Sequence, residues 1–258
     1  MVFNVMISRT HLISLLQPPP YQGADAWYPN KVGLFFPLSY VEGVETLLNT
    51  IIIPRWKGGK GQTQNLDSSN DNGGCLVVAQ GGLSPVGIML TKRNPTHIQT
   101  LMLTSPPTYQ DLTTSIPQSE LERNYNFLSS PVLGKLAFTI LESRQIIKFF
   151  SNLFLFKEDC DEMWLNEAMD EVCIESRTPV QVFNAGLLQH KSYENELKEI
   201  ATGQSIVIVS GDGDKRAVDR QAYESELNNC TLVTIDGLNV LPYENPVGVI
   251  DLINELGY

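Results

Sequence analysis

The sequence predicts an α/β fold: a mainly parallel sheet flanked by helices, with a helical cap inserted between strands. Three observations predict it. Short apolar runs rich in β-branched residues alternate with helical segments along the chain. One of these runs closes on glycines and leads directly into a helix, in "LVVAQGGLSPVGI" (Leu76–Ile88). From Tyr109 to about Lys198 the strand signal vanishes, and amphipathic helices follow one another.

Taken in order, "HLISLL" (His11–Leu16) reads as a strand stopped by the prolines of "QPPPYQGADAWYP". Residues Ser39–Ile53 carry Val41, Val44, Leu47, Leu48 and Ile51 near helical spacing. Lys57–Gly74 is polar and glycine-rich, the composition of a surface loop. "CLVVAQ" (Cys75–Gln80) is a buried strand, Pro85–Arg93 a short helix, and "IQTLMLTSPP" (Ile98–Pro107) a second buried strand. "SPVLGKLAFTILESRQIIKFFSNLFLF" and "DEMWLNEAMDEVCIES" read as successive helices. Strands return at Ser205–Gly211 and Cys230–Gly237, and "PVGVIDLINELG" closes the chain as a helix with Pro246 in its first turn. The expected division is a discontinuous core, 1–108 and 199–258, with residues 109–198 as the cap.

Composition excludes several function classes. The 258 residues, 42% hydrophobic and 18% charged, suffice for one large core. A formal charge of -11 and the lack of a basic cluster argue against nucleic acid, whose phosphates must be neutralised by a basic face. Cys75, Cys160, Cys173 and Cys230 lie far apart, and His11, His97 and His190 have no metal-ligand spacing, so neither a metal nor a cofactor site is expected. The most apolar segment, Ile146–Phe156, is too short to span a bilayer, and no transmembrane segment is expected. The first residues match neither a signal nor a transit peptide.

Four segments in this order resemble the α/β-hydrolase superfamily, and within it the pheophytinase-like and haloalkane-dehalogenase-like branch with a helical cap. They are "LVVAQGGLSP" for the nucleophile-elbow strand and "SSPVLGKLAFTILES" for the start of the cap. "VIVSGDGDK" matches the strand bearing the catalytic acid, and "IDGLNVLPYENP" the segment that bears the catalytic histidine. The resemblance covers about Ser39 to Leu256. It implies further strands and a His-Gly oxyanion loop before "PPPYQGADAW", whereas only about sixteen residues precede that stretch. The front is therefore expected to be shortened, with the first strands missing. A chloroplast location follows from the resemblance alone, and a cytoplasmic one is the default without it.

Carried residue by residue, the resemblance places the nucleophile position at Gly81, the oxyanion N–H at Gly82, the acid at Asp214 and the base at Asn239. Glycine has no oxygen or sulfur to attack with. Asparagine cannot take up and return a proton near neutral pH. Asp214 reads equally as the triad acid or as a solvated aspartate at a strand end, with Asp212 the weaker occupant. Ser84 is the alternative nucleophile, but it would need an elbow three residues later, and Pro85 after it has no N–H for an oxyanion. A helix cap fits Ser84 better. In the cap, Phe138, Ile146, Ile147, Phe149, Phe150 and Phe154 would either pack cap onto core or line an apolar cavity.

Three functions follow as expectations. The first is a non-catalytic member of the fold that binds a small lipophilic ligand or a protein partner. The second is a hydrolase of esters or similar bonds on a lipophilic, chlorophyll-derived substrate. The third is a truncated product without independent activity.

Overall fold

The structure, a computed structural model, describes residues 5–9, 12–16, 36–54, 74–170 and 186–258. Its centre is a six-stranded sheet in the order β2-β1-β3-β4-β5-β6. Four strands are parallel: β3 (Cys75–Gln80), β4 (Ile98–Thr104), β5 (Ser205–Gly211) and β6 (Cys230–Ile235). Ala79 pairs with Leu103, Leu103 with Ile208, and Ile208 with Leu232. The expected strands begin at the same residues as these and run at most three residues past their ends.

The front differs from expectation. Beside the first expected strand, here β2 (Leu12–Leu16), lies β1 (Val5–Arg9), which the sequence did not announce. The two form an antiparallel hairpin, and β1 also runs antiparallel to β3, with Val5 opposite Ala79. The hairpin therefore covers the β3 edge of the parallel block.

Continuous apolar runs make central strands that are buried on both faces, and β3 is buried at all six positions. Alternation sorts the side chains. Val77, Ala79, Leu101, Leu103, Ile206 and Ile208 join one core, while Leu76, Val78, Met102, Val207 and Val209 join another on the opposite face. The first core is closed by α1 (Phe36–Leu47), α2 (Ser84–Arg93) and α8 (Glu194–Gly203). Val41, Leu48, Ile52 and Ile53 supply the buried stripe of the first helical segment, whose last turn, Leu48–Ile52, is π-helical. Ile51, expected on that stripe, faces solvent because the wider turn rotates it away. The second core is closed by α11 (Pro246–Glu255) through Val249 and Ile253.

Between β4 and β5 the described residues contain helices and no strand. In order these are α3 (Tyr109–Thr113), α4 (Gln118–Ser129), α5 (Leu133–Leu141), α6 (Arg144–Phe150) with a π-helical extension Ser151–Leu155, α7 (Glu162–Asp170) and α8. The last six residues of the expected "DEMWLNEAMDEVCIES" helix lie outside the described residues, as do His11, Cys173 and the Lys57–Gly73 stretch. Two short helices complete the list: α9 (Ala222–Glu226) and α10 (Leu241–Glu244).

A small aromatic core fastens this helical insertion to the sheet. Tyr243 of α10 meets Phe156 and Trp164 edge-on, with ring centroids at 5.8 and 5.0 Å. Its hydroxyl donates to the Asp161 carboxylate at 3.1 Å, and burial together with that carboxylate pushes the phenol up to about 12. Glu244 holds the same joint through its backbone contacts. One carboxylate oxygen accepts the Lys157 N–H at 2.5 Å and the other the Leu238 N–H at 2.7 Å.

Among the described residues no helix is long and apolar enough to cross a membrane.

Candidate ligand cavity at the strand ends

All four parallel strands deliver residues to one cavity at their carboxyl ends, where open α/β sheets place their crevices. Gln80 and Gly81 end β3, Ser105 follows β4, Gly213 to Arg216 follow β5, and Leu238 to Val240 follow β6. The insertion supplies the facing wall through Leu153, Phe154, Leu155, Trp164 and Leu188. The volume is about 850 Å³, within the ~300–1,000 Å³ of small-molecule sites.

Gly81, Gly82, Asp214 and Asn239, assigned from separate parts of the sequence, all line this cavity. Gly81 sits at the turn from β3 into α2 with φ +54°, the left-handed conformation that strains any residue with a Cβ. A Cβ built there meets only the Ser105 carbonyl oxygen, at 3.9 Å. The backbone thus has the shape of an elbow, with open space where a nucleophile would stand.

Ser84 takes no part in the cavity. It is fully buried, and its hydroxyl donates to the Gly81 carbonyl at 2.6 Å. The expected cap role is also corrected: Ser84 is the first residue of α2, follows Leu83 at the N-cap, and ties the turn back on itself.

At the base position Asn239 is held as structure. Its Nδ2 donates to the Phe154 carbonyl at 3.1 Å and its N–H to the Leu155 carbonyl at 3.1 Å, which binds the loop after β6 to the insertion. The carbonyl of Asn239 accepts from Gln80 Nε2 at 2.5 Å, and Gln80 Oε1 accepts from the Thr104 hydroxyl at 2.6 Å. Gln80 therefore locks the ends of β3 and β4 to the loop after β6.

At the acid position both oxygens of Asp214 are engaged. Oδ1 accepts the Arg216 N–H at 2.9 Å and Oδ2 accepts Arg220 Nη1 at 2.5 Å. Arg220 is 4% exposed, and it also donates to the Ser210 hydroxyl and, through Nε, to the Pro106 carbonyl. The Asp214 side chain is 14% exposed, which sets aside the solvated-aspartate alternative. Asp212, the weaker occupant, lies away from the cavity and pairs with Lys157.

Arg216 pairs with Asp111 at 2.5 Å. Burial pushes the Asp111 carboxyl up, but hydrogen bonds from Arg216 and Thr108 more than reverse this and hold it below its ordinary value.

Sequence reasoning missed Ser105. It lines the cavity, is 3% exposed, and among the described residues is the one non-glycine with positive φ, +43°. Its hydroxyl reaches only a 3.4 Å contact with the Leu238 carbonyl. No local signal announced it: a residue before proline is biased towards extended backbone, whereas Ser105 in "TSPP" takes a left-handed φ. No histidine or cysteine occurs among the described residues of the cavity wall. His97 stands at the opposite end of β4, beside Thr96, and His190 packs edge-on against Tyr193.

The aromatics of the insertion divide differently from either expectation. Phe154 lines the cavity and is 54% exposed at its rim, Phe138 is buried, and Ile147 packs against the small aromatic core. Phe149 and Phe150 face outward.

Neither a family model nor a curated protein sequence matches the chain. Solved structures do. A membrane phospholipase A described as a bacterial virulence factor superposes with TM-score 0.58 at 14% identity, over 96% of this chain and 70% of that one. A thermophilic esterase from Thermogutta terrifontis superposes with TM-score 0.50 at 11% identity, over 70% and 63%. A haloalkane dehalogenase from Agrobacterium tumefaciens C58 gives TM-score 0.49 at 14% identity, over 70% and 65%. The chain spans less than two thirds of the length of the latter two. At these identities the likeness is one of fold.

Proposed function

Because this chain has the α/β-hydrolase fold, we propose that it uses the cavity of that fold for binding and carries no hydrolytic chemistry. In this reading residues 1–108 and 199–258 are the core, 109–198 the cap, and the occupant of the space between them is a small lipophilic molecule. One observation carries the proposal: each triad-equivalent position is committed to structure. Gly81 offers no nucleophile, Asn239 is spent on holding the insertion through the Phe154 and Leu155 carbonyls, and Asp214 is closed off by Arg220. Triad groups act as a unit, so loss of one removes most of the acceleration.

What favours a lipophilic occupant is the wall. Leu153, Phe154, Leu155, Trp164, Leu188 and Leu238 face a space in the ligand size range, and Leu153 and Phe154 keep about half their surface exposed at its mouth. The purified chain is expected to take up the neutral dye Nile red with about one site per molecule. Phe154→Asp, at a rim position, should weaken uptake about tenfold without lowering the unfolding midpoint, since loss of one aromatic contact and addition of a charge act on the mouth alone. Absence of uptake, or uptake indifferent to Phe154→Asp, would remove this reading.

A second reading, hydrolysis of an ester on a lipophilic, chlorophyll-derived substrate, is favoured by the strained Ser105. Strain of that kind gathers at functional sites. It lacks a base, however, because no histidine is among the described cavity residues and both nearby carboxylates are paired with arginine.

A further inference from the structure

The charges around the cavity do not balance. Lys215, Arg216 and Arg220 line it together with Asp111 and Asp214. Three cations against two carboxylates leave one net positive charge, in a chain whose formal charge is -11. Arg216 is answered by Asp111 and Arg220 by Asp214. Lys215 has no ion pair among the described residues and stands exposed at the opening.

Arg220 makes this more than a surface imbalance. The side chain is 5% exposed. Its Nε donates to Pro106 and its Nη1 to Ser210 and Asp214. A guanidinium has five N–H donors in a fixed fork. The Nη2 amino group makes no hydrogen bond among the described residues, yet it is not one of their sealed, unpartnered side-chain atoms, so it keeps access to the cavity that Arg220 lines. A charge-assisted donor left open in this way is available to a ligand. On the same floor stand Gly81 and Gly82, in the turn that leads into α2, and Pro85 of its first turn, where the helix dipole adds a partial positive charge.

We propose that the cavity recognises a lipophilic anion, a long-chain carboxylate, with its chain along the Leu153–Trp164 wall and its head between Arg220 Nη2 and Lys215. The head meets a charge-assisted donor inside the cavity and a second cation at the mouth, while the two existing carboxylates are kept from repelling it by their arginines. This rests on the binding reading above and adds the chemical class of the ligand.

The test is displacement of Nile red from the full chain by lauric acid and by dodecanol, which share a chain and differ in charge, in mildly alkaline buffer. Lauric acid should displace the dye at about one tenth the concentration of dodecanol at low ionic strength. Lys215→Glu reverses the net charge at the cavity and should erase that preference, with an unaltered unfolding midpoint. Added salt should shrink the preference in the wild-type chain. Equal displacement by acid and alcohol would overturn the anion assignment and leave the binding reading standing. A preference that survives Lys215→Glu would likewise overturn it. Failure of the dye to bind at all would remove both.

Discussion

Arg220→Met is expected to lower the unfolding free energy by roughly 3–5 kcal/mol, the cost of leaving a buried charge without its partner. The arginine side chain is 5% exposed and that of Asp214 14%, so solvent does little to screen or replace the pair. Methionine fills the apolar volume of the stem but strips donors from Asp214 Oδ2, the Ser210 hydroxyl and the Pro106 carbonyl together. Because Pro106 follows β4 and Asp214 follows β5, the loss falls where the two strands hand over to the cavity. Urea unfolding of the single variant and of Arg220→Met/Asp214→Asn measures it. The double variant should recover part of the loss, since removing the carboxylate charge removes the uncompensated group. A single-variant change below about 1 kcal/mol would mean that this network does not hold the cavity floor.

The second large effect is at Gly211, where β5 passes the loop after β6. An ideal Cβ there lies 2.3 Å from the Leu238 carbonyl oxygen and 2.4 Å from that of Gly237, and both are backbone atoms that cannot rotate aside. Gly211→Ala must push the 237–239 loop away from the sheet. Overpacking of this kind costs about 1–3 kcal/mol and occasionally more, and the upper end is expected because Gln80, Phe154 and Leu155 anchor the same loop. Dye uptake should fall with stability, since Leu238 and Asn239 line the cavity. The control is Gly203→Ala at the end of α8. No atom lies within 4 Å of that Cβ, and the change should be neutral or stabilising by about 0.4–1 kcal/mol. Equal unfolding midpoints for the two variants would contradict the described loop packing.

The parallel strands were legible in the sequence because central strands buried on both faces must be continuous apolar runs, as "CLVVAQ" and "SIVIVSG" are. The insertion was legible as helix for the complementary reason, a long stretch with helical periodicity and no such run. Strand β1 was not legible. "VMISR" is short and ends in an arginine, and its strand character comes from pairing with β2 and β3, a tertiary effect. Periodicity also failed to say what the aromatics of the insertion touch. It marks an apolar face but not its partner, and Phe149 and Phe150 turn that face outward while Phe154 reaches the cavity.

The candidate site was legible where it depends on residue type. That Gly81 and Asn239 cannot supply a nucleophile or a base follows from the letters. What held these positions did not. Gln80 meets Asn239 across 159 positions and Arg220 meets Pro106 across 114, and no local pattern encodes such contacts. The positive φ of Ser105 is likewise a product of the fold.

The central claim, a hydrolase-type cavity without hydrolysis, is tested most directly by turnover of short-chain nitrophenyl esters by the purified full chain against a heat-denatured control. Loss of a nucleophile or base lowers the rate roughly 10⁶-fold in a well-studied serine protease, with the remainder owed largely to oxyanion stabilisation and binding. The wild-type chain is expected to match the control, and Gly81→Ser to match it too, because the new hydroxyl would have no base. Turnover above the control that Ser105→Ala abolishes, with Gly81→Ala unaffected, would contradict the account and make the strained serine a nucleophile.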